Sequence, residues 1–139
     1  MGPKFHEQVC YTLYSTSATV TQAYRGLLKS LNLTYPQFVV MMALWEAEGV
    51  SMTALANTVG ISKATMTPLL KRLEALGYIT RELADNDERQ KKVMLTKEGR
   101  SIAPNAALIA KHALCATGLD MDEAEQLMAL CQKIKTNLT

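Results

Sequence analysis

The stretch Ser51–Thr96, SMTALANTVGISKATMTPLLKRLEALGYITRELADNDERQKKVMLT, decides the fold through its punctuation. Ser51 is placed to cap a short helix over Met52–Thr58. Gly60 supplies a turn, Ser62 caps a second helix that runs to Leu76, and Gly77 stands just past its end. Tyr78–Leu83 and Lys91–Leu95 are strand-like. Ala84-Asp85-Asn86-Asp87-Glu88-Arg89-Gln90 joins them as a charged antiparallel hairpin. Helix, turn, helix, hairpin is the order of a winged helix-turn-helix, which sets one helix in a DNA major groove and a loop in a minor groove.

Outward from this module the chain reads as helix on both sides. Val9, Leu13, Val20, Leu27, Leu28 and Leu31 recur at helical spacing, so the pattern predicts one long amphipathic helix over Phe5–Leu31. Thr34 fits an N-cap, with Pro36 in the first turn and apolar residues on to Trp45. Glu46–Val50 reads as a polar link. Thr96 caps another helix, which Pro104 should kink or delay. Asp120 opens a final helix with Ala124, Leu127, Met128, Cys131 and Ile134 on one face. The expected fold class is mainly α with a small β-hairpin. One domain spans residues 1–139, with 51–96 as the DNA-binding module and 5–48 and 97–139 mainly as dimerisation helices. The terminal helices carry more apolar surface than so small a domain needs. They are expected to form the interface of a homodimer that binds an inverted-repeat operator in double-stranded DNA.

Composition narrows the classes. The 139 residues are 48% hydrophobic and 20% charged, as in a soluble globular protein, and the net charge is only +2. Any case for nucleic acid therefore rests on where the charges sit. Ile61–Leu73 holds the cations Lys63, Lys71 and Arg72 and no anion. The N-terminus lacks the apolar run of a targeting signal, and Phe38–Trp45 is too short to span a bilayer. The expected location is the cytoplasm, away from membranes. Three cysteines at irregular spacing fit neither a disulfide scaffold nor a CxxC zinc site. In a reducing compartment they rest as thiols. His6 and His112 have no partners at metal-ligand spacing, and GxGxxG, P-loop and HExxH motifs are missing, so no metal or cofactor is expected.

In the second helix, Leu69, Leu70, Leu73 and Leu76 are assigned to the core. That leaves Ser62, Lys63, Ala64, Thr65, Thr67, Lys71 and Arg72 for the outer face. Small hydroxyl residues let a helix approach DNA closely, and Lys and Arg neutralise phosphate. A plain solvated helix face has the same pattern, and the hairpin decides against it. Arg89 stands near the hairpin tip, where a guanidinium can enter the minor groove, and Asp87 can orient it. Lys91 and Lys92 are further phosphate-contact candidates, although solvated charge explains them equally well.

A second constellation involves sulfur. Cys10 and Tyr14 are four residues apart and share a helical face. A phenol O–H beside a sulfur favours the thiolate, and the thiolate is the form that attacks a peroxide oxygen to give a sulfenic acid. Tyr24 lies fourteen residues beyond Cys10, roughly 21 Å along an unbroken helix. It can reach a Cys10 only across a dimer interface. Val9, Leu13, Met41 and Met42 are apolar neighbours that would suit an alkyl or lipid peroxide. On the residues alone, a small buried cysteine and ordinary core or interface aromatics explain the pattern as well as a sensor does.

TPLLKRLEALGYITR followed by DNDERQKKVMLTKEG resembles the MarR family of winged-helix regulators over nearly the whole chain. QVCYTLYSTS, QAYRGLL and LNLTYPQFVVMMALWE resemble its organic hydroperoxide-sensing branch, the OhrR type. The resemblance implies that Cys10 is the peroxide-reactive cysteine. It also implies that Tyr24 and Tyr35 bond its sulfur, that Tyr14 belongs to the pocket, and that Asp87 and Arg89 are the wing pair. Cys115 corresponds to the thiol that resolves the sulfenate across subunits in two-cysteine members, with Cys131 as second choice. Ser62-Lys63 departs from the branch, which often has an acidic and a small residue there.

The function expected is a DNA-binding repressor released from its operator when an organic hydroperoxide oxidises Cys10. The alternative is a repressor of the same family released by a non-covalent phenolic ligand held between the domains. A thiol peroxidase using Cys10 is the enzyme reading. Against it, the chain spends a full module on DNA and has no Arg near Cys10 in sequence to polarise a peroxide. An architectural DNA-binding protein is disfavoured by the low net charge.

Overall fold

A computed structural model gives the fold; it describes residues 1–84 and 87–139, and the side chains of 1–83 and 91–139. In chain order the elements are α1 (Val9–Leu27), α2 (Tyr35–Glu46), β1 (Val50–Ser51), α3 (Met52–Val59), α4 (Lys63–Ala75), β2 (Ile79–Ala84), β3 (Asp87–Leu95), α5 (Lys97–Ser101), α6 (Ala103–Ala116) and α7 (Met121–Leu138). The sheet has the order β1-β3-β2 and both pairings are antiparallel. Val50 pairs with Val93 and Ile79 with Leu95. The architecture is the expected one, a mainly helical winged helix-turn-helix with a small sheet.

The caps read from the sequence form as hydrogen bonds. The side chains of Thr34, Ser51, Ser62, Thr96 and Asp120 accept from the backbone N–H of Gln37, Ala54, Thr65, Gly99 and Glu123 respectively. Gly60 and Gly77 take the left-handed backbone, at φ 82° each, that ends α3 and turns the chain after α4.

Several boundaries differ from expectation. The long N-terminal helix is broken: 3-10 turns at Phe5–Glu7 and Lys29–Leu31 flank α1. Apolar spacing survives a 3-10 turn, so periodicity alone runs across it. The supposed link Glu46–Val50 contains part of a strand, because β3 offers Val50 and Ser51 a hydrogen-bonding edge. Of the two outcomes expected at Pro104, a kink or a delayed start, the structure shows the delayed start. Pro104 occupies the first turn of α6, after a break at Ile102. Pro68 lies inside α4, at an exposed position that tolerates the lost N–H bond.

The core gathers Phe38, Val40, Met41 and Leu44 of α2, Leu55 of α3, Met66, Leu70 and Leu73 of α4, Ile79 and Val93. Thus α2 belongs to the same core as the DNA-binding module. Leu76 is only half-buried, while Met66, not anticipated, is fully enclosed. The outlying helices are different. None of the residues of α1 is buried, and α7 buries only Ala124. Phe5, Val9, Tyr14, Leu108, Met121, Met128 and Leu130 are all more than half exposed. Among the described residues, no helix is long and apolar enough to cross a membrane.

Candidate nucleic-acid interface and thiol site

The turn at Gly60 and the cap at Ser62 aim the N-terminus of α4 outward. The Ser62 hydroxyl accepts from Thr65 N–H at 3.2 Å and donates to the Thr65 hydroxyl at 3.0 Å. Ser62, Lys63, Ala64, Thr65, Lys71 and Arg72 are exposed together. Thr67 departs from this set. It is half-buried, and its hydroxyl is 3.0 Å from the Lys63 carbonyl and 3.5 Å from the Met52 sulfur. Four residues before Thr67, Lys63 offers the backbone oxygen that a helical threonine commonly takes. Lys91 and Lys92 are exposed on β3. The side chains of Asp87 and Arg89 lie outside the described residues. On α4 the exposed stretch from Ser62 to Arg72 carries cations and no acid, so it can meet phosphate and present hydroxyls to base edges.

The wing is tied down at its base. Arg81 of β2 donates from Nε to Glu74 of α4 at 2.8 Å. Thr96 N–H donates to the Tyr78 carbonyl at 3.0 Å, and the Tyr78 hydroxyl donates to the Leu31 carbonyl at 2.8 Å. Burial pushes the Tyr78 phenol above its ordinary pKa, so it remains a donor. On the opposite edge, the Trp45 indole donates to the Gly99 carbonyl at 2.9 Å. Glu48 accepts from Arg100 Nη2 at 2.7 Å and from Leu95 N–H at 3.0 Å. The Arg100 hydrogen bond, set against partial desolvation, holds the Glu48 carboxyl below the usual carboxylate range. Sequence reading missed Trp45, Glu48, Gly99 and Arg100 as a group. Their partners lie about fifty positions apart, and no periodicity links them.

The sulfur constellation divides into two places on one chain. Cys10 is exposed in the first turn of α1, and Tyr14 is 75% exposed one turn on. A buried structural cysteine does not describe Cys10 within a single chain. Tyr24, near the other end of α1, stacks on Tyr35 with ring centroids 4.7 Å apart and on Phe38 at 5.7 Å. Burial, and then the neighbouring Tyr35, raise the Tyr24 pKa. Met41, expected beside Cys10, is instead fully buried in the core, with Met42 packed against that core.

The other two thiols differ in their surroundings. Cys115 is exposed in the last turn of α6. Its helix meets the Tyr24 half of α1 at a cleft of about 120 Å³ lined by Thr19, Val20, Ala23, Tyr24, Ala113, Ala116 and Thr117. Cys131, on the apolar face of α7, is half-buried. It borders an apolar cleft of about 310 Å³ between α7 and the first turns of α1, with Val9, Thr12 and Leu13 on the facing wall.

A winged helix with an exposed cationic second helix defines a DNA-binding regulator. The chain belongs to the MarR family, whose description matches residues 33–91. It is 35% identical to the organic hydroperoxide resistance transcriptional regulator of Bacillus subtilis (strain 168) over 97% of this chain and 90% of that protein. It is 37% identical to the HTH-type transcriptional regulator TtmR of Methylorubrum extorquens (strain PA1) over 87% of its own length, and the match spans 62% of that regulator. Among solved structures it resembles reduced AbfR bound to DNA, with TM-score 0.82 and 27% identity, covering 96% of this chain and 91% of that one. The disulfide form of AbfR superposes less well, with TM-score 0.69, 28% identity and coverage of 96% and 88%. The protein is a DNA-binding transcriptional regulator and not an enzyme.

Proposed function

We propose that this regulator is a homodimeric repressor, of the organic hydroperoxide-sensing OhrR type, that leaves its operator when Cys10 is oxidised. The observation that carries the reading is the separation of Cys10 from the Tyr24–Tyr35 pair along one helix. Within a chain the phenols cannot reach the thiol. Two copies with antiparallel α1 helices bring the Tyr24 end of one against the Cys10 end of the other. The bare apolar faces of α1 and α7 supply a surface for such a pairing. Two relatives favour redox control: one regulates organic hydroperoxide resistance, and AbfR has been solved in reduced and disulfide forms.

In this scheme the Cys10 thiolate attacks the terminal peroxide oxygen. The O–O bond breaks, the alkoxide leaves and takes up a proton, and Cys10 becomes a sulfenic acid. The Cys115 thiol of the partner subunit then displaces water to form a disulfide. Cys115 suits this step because α6 meets the Tyr24 half of α1, the half that an antiparallel partner would lay against Cys10. DNA contact falls to Ser62, Lys63, Thr65, Lys71, Arg72 and Lys91, with Thr67 helping to shape α4, and to Asp87 and Arg89 at the wing.

The test is operator binding by gel shift before and after cumene hydroperoxide, with and without reductant, on wild type and Cys10→Ser. The serine variant should bind DNA normally and ignore the peroxide. Release of the serine variant by peroxide would overturn the reading. The phenolic-ligand alternative draws on the cleft beside Tyr24, and release of both proteins by a phenol without peroxide would favour it.

A further inference from the structure

The edge of β3 that faces β1 has a feature that the expected DNA-reading residues do not explain. β1 pairs with β3 over only two residues, Val50 and Ser51. Beyond them the chain continues the edge without a strand. Gly49 N–H donates to the Val93 carbonyl at 2.9 Å, and the next outward-facing amide, Leu95 N–H, is taken by the Glu48 side chain at 3.0 Å. The other Glu48 oxygen accepts from Arg100 of α5 at 2.7 Å. One carboxylate thus joins the end of α2, the base of the wing and the first turn after it. The indole of Trp45 on Gly99 braces the same joint from three residues away.

We infer that Glu48 is a positioning residue for DNA binding, fixing the angle of the β2–β3 wing relative to α4 so that both can engage one duplex. The argument rests on geometry. A winged helix touches two grooves at once. Arg81 on Glu74 ties the β2 side of the wing to α4. On the other side a ladder of only two residues holds it, and about the β2 tie the hairpin can pivot. A charge-assisted bond to a backbone amide at the hinge removes that pivot. The inference needs only that the protein binds DNA and does not depend on the thiol chemistry.

The sign of the effect makes the test sharp. Glu48 is an anion, so removing it raises the net charge and, through screened electrostatics alone, should tighten binding to phosphate. A positioning role predicts the opposite. The measurement is fluorescence anisotropy with the duplex that the wild-type full chain selects from a random pool, over a salt series, alongside thermal unfolding. Glu48→Ala should weaken the selected duplex about tenfold and reduce the salt slope by about one. Binding to an unselected duplex should stay equal or tighten slightly. Glu48→Gln keeps an acceptor for Leu95 but loses the charge, and should weaken binding about threefold. A folded Glu48→Ala protein with wild-type or tighter affinity and an unchanged slope overturns the inference, even if its thermal midpoint has dropped. If Glu48→Ala does not fold, the Gln variant decides: wild-type affinity overturns the inference and the threefold loss supports it.

Discussion

Tyr24 shows how a single residue gains a role from its surroundings. Burial and the adjacent Tyr35 raise its pKa above the ordinary tyrosine value, so the phenol keeps its proton throughout the neutral range and stays available as a donor. In the proposed sensor it would donate to the Cys10 thiolate of the partner subunit. Tyr24→Phe keeps the rings stacked and removes that donor. Oxidation by hydroperoxide should slow about tenfold, equivalent to about 1.4 kcal/mol, with DNA affinity intact; stopped-flow thiol loss measures it. Gly99 illustrates the contrary case, a residue whose role is to be absent. It is buried, and a Cβ there would run into the Tyr78 carbonyl oxygen and touch Leu95. Because the obstacle is backbone, it cannot swing aside. Gly99→Ala should destabilise the fold by about 1–3 kcal/mol in urea unfolding. The tyrosines were legible in the sequence as aromatic residues at meaningful spacing. Gly99 was not, since a close approach between Tyr78 and α5 exists only after the wing has folded back.

At the scale of elements, local chemistry was readable and non-local pairing was not. Each cap is a short-range bond between a hydroxyl or carboxylate and an amide three residues on, so Thr34, Ser51, Ser62, Thr96 and Asp120 announced their helices. β1 could not announce itself. Two residues form a strand only because Lys92 and Val93, some forty positions later, present an edge to them. The breaks around α1 were hidden for another reason, since 3-10 and α turns share an apolar rhythm over so short a span. Helix α4 combines both kinds of information. Its Ser62 cap is local, yet it also orients the Thr65 hydroxyl, which is exposed on the face proposed to meet DNA. Ser62→Ala should therefore cost about 1 kcal/mol of stability and also weaken selected DNA more than unselected DNA. Differential scanning calorimetry and paired anisotropy titrations separate the two effects. An equal loss on both duplexes would leave Ser62 as a cap alone.

For the molecule as a whole, the distribution of burial matters more than its amount. The winged helix and α2 enclose a dense core, while α1 and α7 leave nearly all of their residues outside one. Helices that bury so little do not persist alone in water, because tertiary packing supplies most helical stability. In the proposed dimer a second copy covers them, which would make folding depend on protein concentration and determine which thiols can meet. The three cysteines then predict distinguishable products. Within one chain, Cys131 is the thiol beside the turns of α1 that carry Cys10, across the cleft that holds Val9 and Leu13. Cys115 sits on the helix that meets the opposite, Tyr24 half of α1. A bond from Cys10 to Cys131 would stay inside a chain and run as a compact monomer on a non-reducing gel. A bond from Cys10 to Cys115 has to cross to the partner subunit and run as a covalent dimer. Treatment with cumene hydroperoxide should give the dimer band in wild type and in Cys131→Ser, and no such band in Cys10→Ser or Cys115→Ser. A fast-migrating monomer that disappears in Cys131→Ser would assign the resolving role to Cys131. Mass spectrometry showing only a small-thiol adduct on Cys10, with glutathione present and neither band formed, would mean that no second cysteine takes part.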